Sequence, residues 1–186
     1  MQNEVLRSML SKLSPSQPPI ESKKLAAVSV IVADEANPRT LLIRRAEHSD
    51  DPWSGQVAFP GGKMGSDDRS ARDTAVRETK EEVSIDLAKD ARFAGYFVPF
   101  RTHTGSMDVI PVVFLLERDV EATPNLEVSS YRWVGLDEFL QPRSASIHRL
   151  QVQGFSREVP AFALEDYVVW GLTHRIISSL LGLGLP

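Results

Sequence analysis

The sequence has no cysteine among its 186 residues. That excludes disulfides, thiolate metal sites and a cysteine nucleophile, and it agrees with a reducing, cytoplasmic setting. It has no basic excess either, since the formal net charge is -4. Nucleic-acid partners meet a basic patch, so binding to nucleic acid is not expected. No run approaches the ~20 apolar residues that span a bilayer, so no membrane association is expected. The N-terminal stretch MQNEVLRSMLSKLS has no long apolar core and does not read as a secretory signal. It reads as a short amphipathic helix with Leu6, Leu10 and Leu13 on one face. A mitochondrial targeting segment is the alternative, and Glu4 weighs against it.

What the chain does have is the make-up of an ordinary folded protein. Hydrophobic residues are 42% and charged residues 25%, and the length is that of one domain with a terminal extension. Residues 14 to 19 (SPSQPP) form a linker signal, because proline cannot continue a helix. Residues 1 to 22 are therefore expected to be a helix and Pro-rich linker, and residues 23 to 186 the domain proper. The continuous apolar run 25 to 33 reads as a buried strand, and 41 to 44 as its return after the Asn37-Pro38 turn. Further strands are expected at 57 to 59, 93 to 100, 109 to 116 and 131 to 134. Helices are expected at 68 to 83, with Asp67 or Asp68 near the N-cap, and at 164 to 181, with a helical turn at 137 to 140. The order points to a mixed α/β (α+β) domain, a sheet covered by helices.

The chemistry is concentrated in Arg77-Glu78-Thr79-Lys80-Glu81-Glu82-Val83. At ~100° per residue, Glu81 and Glu82 lie roughly 60° and 40° either side of Glu78. Three like charges on one face destabilise a helix, and a hard divalent cation offsets that directly. A solvated acidic face would be the plain reading of such a helix standing alone. Here it follows Phe59-Pro60-Gly61-Gly62-Lys63, whose paired glycines let a main-chain carbonyl approach a ligand.

Gly62, Asp68, Arg77, Glu78, Glu81, Glu82 and Ile85 occur in the order of the Nudix box, G-x5-E-x7-R-E-U-x-E-E-x-G-U, and the chain resembles that family. It departs in four places. The spacing from Gly62 to Arg77 is one residue longer, Asp68 replaces a glutamate, Thr79 an apolar residue and Ser84 a glycine. The resemblance implies an α-β-α sandwich with a mixed central sheet and a catalytic loop-helix after Gly62. It also implies Mg2+ or Mn2+ held by Glu78, Glu81, Glu82 and the Gly62 carbonyl, with Arg77 orienting a glutamate. The general base is left open between Glu78 and Glu127, since some members use a glutamate beyond the box. A small-molecule nucleotide is the implied substrate, and a homodimer is left open, with residues 1 to 22 able to swap or pack across an interface.

Within the family, LLIRRA followed by GQVAFPGG looks like the stretch preceding the box in coenzyme A diphosphatases, as do VIPVV and VWGLT further on. That implies cleavage of coenzyme A or acyl-coenzyme A to 3',5'-ADP and 4'-phosphopantetheine. Arg44, Arg45, Lys63 and Arg101 are the candidate phosphate contacts, each alternatively a solvated surface charge. The intervening EHSDDPWS puts Asp50 and Asp51 where those enzymes carry arginine, which keeps ADP-ribose, dinucleotide and oxidised-nucleotide substrates in view. A non-catalytic nucleotide-binding module is opposed by the survival of all three box glutamates. Trp53 invites base stacking but reads better as an anchor, His103 is a candidate acid or phosphate donor, and Trp170 reads as core.

Overall fold

The computed structural model describes residues 3–22, 24–47, 54–152 and 155–184. Lys23, Asp50, Asp51 and Trp53 therefore lie outside the described residues. In chain order the elements begin with α1 (Glu4–Leu10), β1 (Leu25–Ala33), β2 (Arg39–Arg45), β3 (Val57–Ala58), β4 (Gly61–Lys63) and α2 (Ala71–Val83). They continue with α3 (Leu87–Asp90), β5 (Ala91–Tyr96), β6 (Phe100–Arg101), β7 (Asp108–Leu116) and β8 (Val128–Gly135). The last are β9 (Ala145–Val152), β10 (Phe155–Leu164), β11 (Tyr167–Trp170) and α4 (Gly171–Leu181).

Strands β1 to β8 form one mixed sheet in the order β3-β2-β1-β7-β5, with β4 on β1, β6 on β7 and β8 on β2. Its centre is the parallel pair β1/β7, and both strands are buried nearly throughout, as their unbroken apolar runs require. Pro111 sits inside β7 at no cost to the ladder. Its carbonyl takes the Phe97 N–H at 2.9 Å, so its nitrogen faces the gap between β6 and β5. Helix α2 covers one face, above Ala27, Ile31, Ile110, Val112 and Phe114. Helices α4 and α1 cover the other, with Ile176, Ile177 and Leu180 against Leu6 and Met9. This is the α-β-α sandwich.

Four expectations need correction. The helix expected at 164 to 181 is two elements. Residues 167 to 170 (YVVW) are β-branched and aromatic and form β11, and Gly171 at φ +65° turns the chain into α4. Strands β9 and β10 were not expected, and with β11 they make a second, three-stranded antiparallel sheet. The helix expected from 68 begins at Ala71 with Ser70 as N-cap, its side chain accepting from Asp73 N, because Asp68 is engaged elsewhere. The strand expected at 93 to 100 is split into β5 and β6 around Phe97 to Pro99.

The N-terminal residues run along the domain. Lys12 Nζ donates to the Ser179 and Leu180 carbonyls at 3.1 and 2.8 Å, at the C-terminal end of α4. Ser14 and Tyr96 exchange backbone hydrogen bonds at 2.9 and 2.8 Å. Gln17 Oε1 accepts the Ala71 N–H at 2.8 Å, at the N-terminus of α2.

Candidate active site

The site starts from two glycines. Gly61 has φ +153°, and a Cβ there would collide with the Ala27 carbonyl. At Gly62 the added Cβ would lie 2.5 Å from Cδ of Glu78 and 2.6 Å from each of its oxygens. The close approach of β4 to β1 therefore requires glycine at 61, while a side chain at 62 would displace the Glu78 carboxylate. β4 pairs with β1, Gly62 facing Ala27, and this ladder fixes the loop against the sheet.

Arg77 joins the loop to the helix. Its Nε and Nη2 hold both oxygens of Asp68 at 3.1 and 2.8 Å, and Nη2 also reaches the Lys63 carbonyl at 3.1 Å. Its Nη1 donates to Glu78 at 2.8 Å and Glu81 at 3.2 Å. Asp68 also accepts from Gly65 N and the Thr74 hydroxyl, at 2.8 and 3.0 Å. The Arg77 fork, aided by these donors, holds the Asp68 carboxyl at about 2. Asp68 thus positions Arg77 and is not the helix cap.

The three glutamates differ in environment. Glu82 is buried, accepts the Gly61 N–H at 2.9 Å, and is pushed up to about 7 by burial, with the Glu78 charge adding to it. Glu78 is raised in the same direction, again mainly by burial and against the pull of Arg77. Glu81 is 56% exposed. The Glu127 charge is felt at this group, adding slightly to the upward shift of both Glu78 and Glu82, and Arg45 opposes it at Glu82. The loop before β8 explains the placement. Thr123 N and Asn125 N donate to the carbonyls of Val83 and Glu82 at 2.8 Å, and Ala46 N donates to the Glu127 carbonyl at 2.8 Å.

The other basic residues are dispersed. Arg44 lies on the opposite face of β2 from Arg45, 4.7 Å from the centre of the Tyr167 ring, and bonds the Asp166 carbonyl. Lys63 is exposed on β4. Arg101 is engaged by Asp108 at 3.2 Å and Glu21 at 2.8 Å. His103 meets Arg157, and Trp170 stacks on His148, both away from the carboxylates' helix.

Sequence reasoning missed a buried polar pair under the helix. Thr79 Oγ1 donates to Ser29 Oγ at 2.7 Å, which donates to the Ala75 carbonyl at 3.0 Å. The signal was present: one serine in an apolar strand, and one threonine where the box wants an apolar side chain. Ser29 is satisfied by the helix carbonyl and in turn gives the buried Thr79 hydroxyl its acceptor. Gln17 had no local signal, because its partner is 54 residues away.

The residues fit a divalent cation. All donors are hard oxygens, two of the carboxylates carry a burial penalty that a cation would relieve, and the side-chain-free backbone of Gly62 faces Glu78. Among the described residues no three such side chains are already drawn around one point. Arg77 instead neutralises Glu78 and Glu81.

A glycine loop feeding a carboxylate-bearing helix in an α-β-α sandwich defines a class of phosphoanhydride hydrolases, and comparison with known proteins agrees. The NUDIX domain profile matches residues 23–155, more than half of the chain. An uncharacterized Nudix hydrolase, NudL, of Yersinia pestis (strain Pestoides F) is 36% identical over 163 residues, covering 86% of this chain and 79% of that one. Among solved structures, a MutT/nudix family protein from Enterococcus faecalis superposes with a TM-score of 0.54 at 19% identity, over 87% of this chain and 62% of that one. A C. elegans Ap4A hydrolase superposes at 0.52 and 19%, over 63% and 83%. The chain belongs to the Nudix hydrolase family, and its general activity is hydrolysis of a diphosphate linkage.

Proposed function

We propose that the substrate is coenzyme A or a short acyl-coenzyme A, cleaved at its diphosphate to 3',5'-ADP and the 4'-phosphopantetheine product. The observation that carries this is the place of the LLIRRA and GQVAFPGG segments. They are β2 and the β3–β4 approach, and they bring Arg45 and Gly62 to the same carboxylates. A generic Nudix box requires Gly62, but neither LLIRRA nor the residues of GQVAFPGG before it.

In this reading Glu78, Glu81, Glu82 and the Gly62 carbonyl hold Mg2+ or Mn2+. The bound cation supplies charge neutralisation of the diphosphate and acidification of water. Arg77, fixed by Asp68, orients Glu78 and Glu81. Glu127 faces the site from a loop pinned on both sides, and it accepts the proton of the attacking water, with Glu78 as the alternative base. Arg45 holds the diphosphate from the β2 side and Lys63 from β4, while Arg44 and Arg101 contribute only through the field, being engaged elsewhere. The enzyme acts in the cytoplasm.

A second reading is favoured by the acidic Asp50-Asp51 segment, a poor neighbour for a 3'-phosphate. It takes ADP-ribose or a dinucleotide as substrate. A solved Nudix domain of Shewanella oneidensis NrtR is complexed with ADP ribose, and the Ap4A hydrolase shares this fold. Hydrolysis of coenzyme A, dephospho-coenzyme A, ADP-ribose and Ap4A, each with Mg2+ or Mn2+, separates the two. The highest kcat/KM on coenzyme A supports the first. Brisk turnover of ADP-ribose with none of coenzyme A discards it.

A further inference from the structure

The second sheet presents a face that the apolar core does not use. Strand pairing sets Leu150 opposite Arg157, His148 opposite Val159 and Ala161 opposite Trp170. Side chains alternate along strands, so these residues share one face. Phe162, Leu164, Tyr167 and Val169 take the other face and enter the core under α4. On the free face the rings of His148 and Trp170 stack at 5.7 Å and 26°, both half-buried. Arg157 stands at the far end, its Nη1 3.4 Å from Nε2 of His103 in the loop after β6. Nearby, Arg175 of α4 bonds the Arg101 carbonyl at 3.1 Å.

Among the described residues neither Arg157 nor Arg175 pairs with a carboxylate, and Arg157 instead meets an imidazole. On the reverse face Arg149 is neutralised by Glu158 at 2.8 Å, and on β6 of the large sheet Arg101 is neutralised by Asp108 and Glu21. Two guanidiniums and an imidazole converging on one loop have the chemistry of a phosphomonoester site. The stacked ring pair at the other end has the chemistry of a purine platform. Trp170 and Arg157 are separated by about four residues of strand, roughly 13 Å. A purine nucleoside, its phosphate and an extended arginine side chain fill that span together. β11 also lies against β3, which leads straight into Gly61 and Gly62. The ring pair is therefore the end of the face nearer the carboxylates.

We propose that this face holds the 3'-phosphoadenosine end of the substrate, the purine against Trp170 and His148 and the 3'-phosphate between Arg157 and His103. The proposal rests on the coenzyme A reading and gives the 3'-phosphate contact to residues of the second sheet and of the loop after β6.

The test is calorimetric binding of 3',5'-ADP and 5'-AMP to the full chain, which needs no turnover. Wild type should bind 3',5'-ADP at least tenfold more tightly than 5'-AMP, with the preference shrinking as salt rises. Arg157→Gln, at an exposed position that the fold does not need, should remove most of that preference and leave 5'-AMP unchanged. Trp170→Leu, with its melting temperature checked, should weaken both ligands alike. A preference for 3',5'-ADP undiminished in Arg157→Gln overturns the site while leaving the coenzyme A reading intact. No preference in wild type, with turnover of ADP-ribose alone, overturns both.

Discussion

The two faces of the central sheet are built on opposite terms. Under α4 and α1 the contacts are mainly apolar, with Leu6, Met9, Ile176 and Leu180 all at 2% exposure or less, and the polar exceptions His174 and Ser178 bear no carboxylate. Under α2 the same sheet meets alanine, a serine-threonine hydroxyl pair and a buried glutamate. One face gains stability from area removed from water. The other spends some of it on holding carboxylates out of water next to one another. The difference teaches where to look for function: the face that packs less favourably is the one that carries charge for a purpose.

The sharpest way to break this comparison is Glu82→Gln. The amide still accepts the Gly61 N–H and removes a buried charge, so the fold should persist with an unchanged or higher melting temperature. Activity should fall by on the order of 10²–10³ in kcat, as for loss of other charge-stabilising groups. Near-wild-type turnover at saturating Mg2+ would remove Glu82 from the machinery.

Leu6→Ala on the other face should do the reverse. It should cost ~2–5 kcal/mol of stability through the cavity it leaves, measured by urea unfolding. Activity per folded molecule should stay the same. A selective loss of kcat without loss of stability would show that the faces are not separable in this way.

Asp68→Asn should have a smaller effect, and one that depends on pH. The folded carboxyl sits at about 2, below its ordinary 3.8. Its contribution is therefore present above pH 3.8 and lost as pH falls from there towards 2. At pH 7 the variant should be less stable by ~1–2 kcal/mol, discounted because Arg77 is one-third exposed. Thermal melts of variant and wild type should converge as pH falls to about 2 and below. A gap that persists there would mean that Asp68 acts by shape alone.

Ser84→Gly should change least. Ser84 ends α2 at φ 60°, where the family has glycine. The substitution relieves the left-handed backbone but forfeits the bond to the Thr123 carbonyl. A net gain below ~1 kcal/mol is expected, and a loss greater than that in the melting curve would show that the bond to Thr123 outweighs the backbone.

What the sequence made legible follows the same division. β1 was readable to the residue, because a run buried on both faces is apolar throughout but for Ser29. The carboxylates were readable because their spacing is helical and their glycines adjoin. The start of α2 was misread because Asp68 resembles a cap, while its partner Arg77 is nine residues on. β9 and β10 were not legible: His148, Arg149, Arg157 and Glu158 interrupt the apolar alternation, and Pro160 argues against a strand. The segment from 167 to 170 was merged with α4 because YVVW suits either element until the φ of Gly171 is known. Glu127 could be named but not placed, since only the backbone bonds from Thr123, Asn125 and Ala46 bring it to the carboxylates.

The residues before β1 touch both faces in one continuous piece. Lys12 closes the last turn of α4, and five residues later Gln17 closes the first turn of α2. A single covalent segment therefore links the end of the helix on one side to the beginning of the helix on the other. If it lifts away, α4 loses a cation at its carboxyl end while the Ala71 amide loses its acceptor. Amide exchange at the first turn of α2 should then follow that of α1, although the sheet lies between them. An affinity tag that pulls on the N-terminus would be felt, through Gln17, as fraying of the helix that bears Glu78.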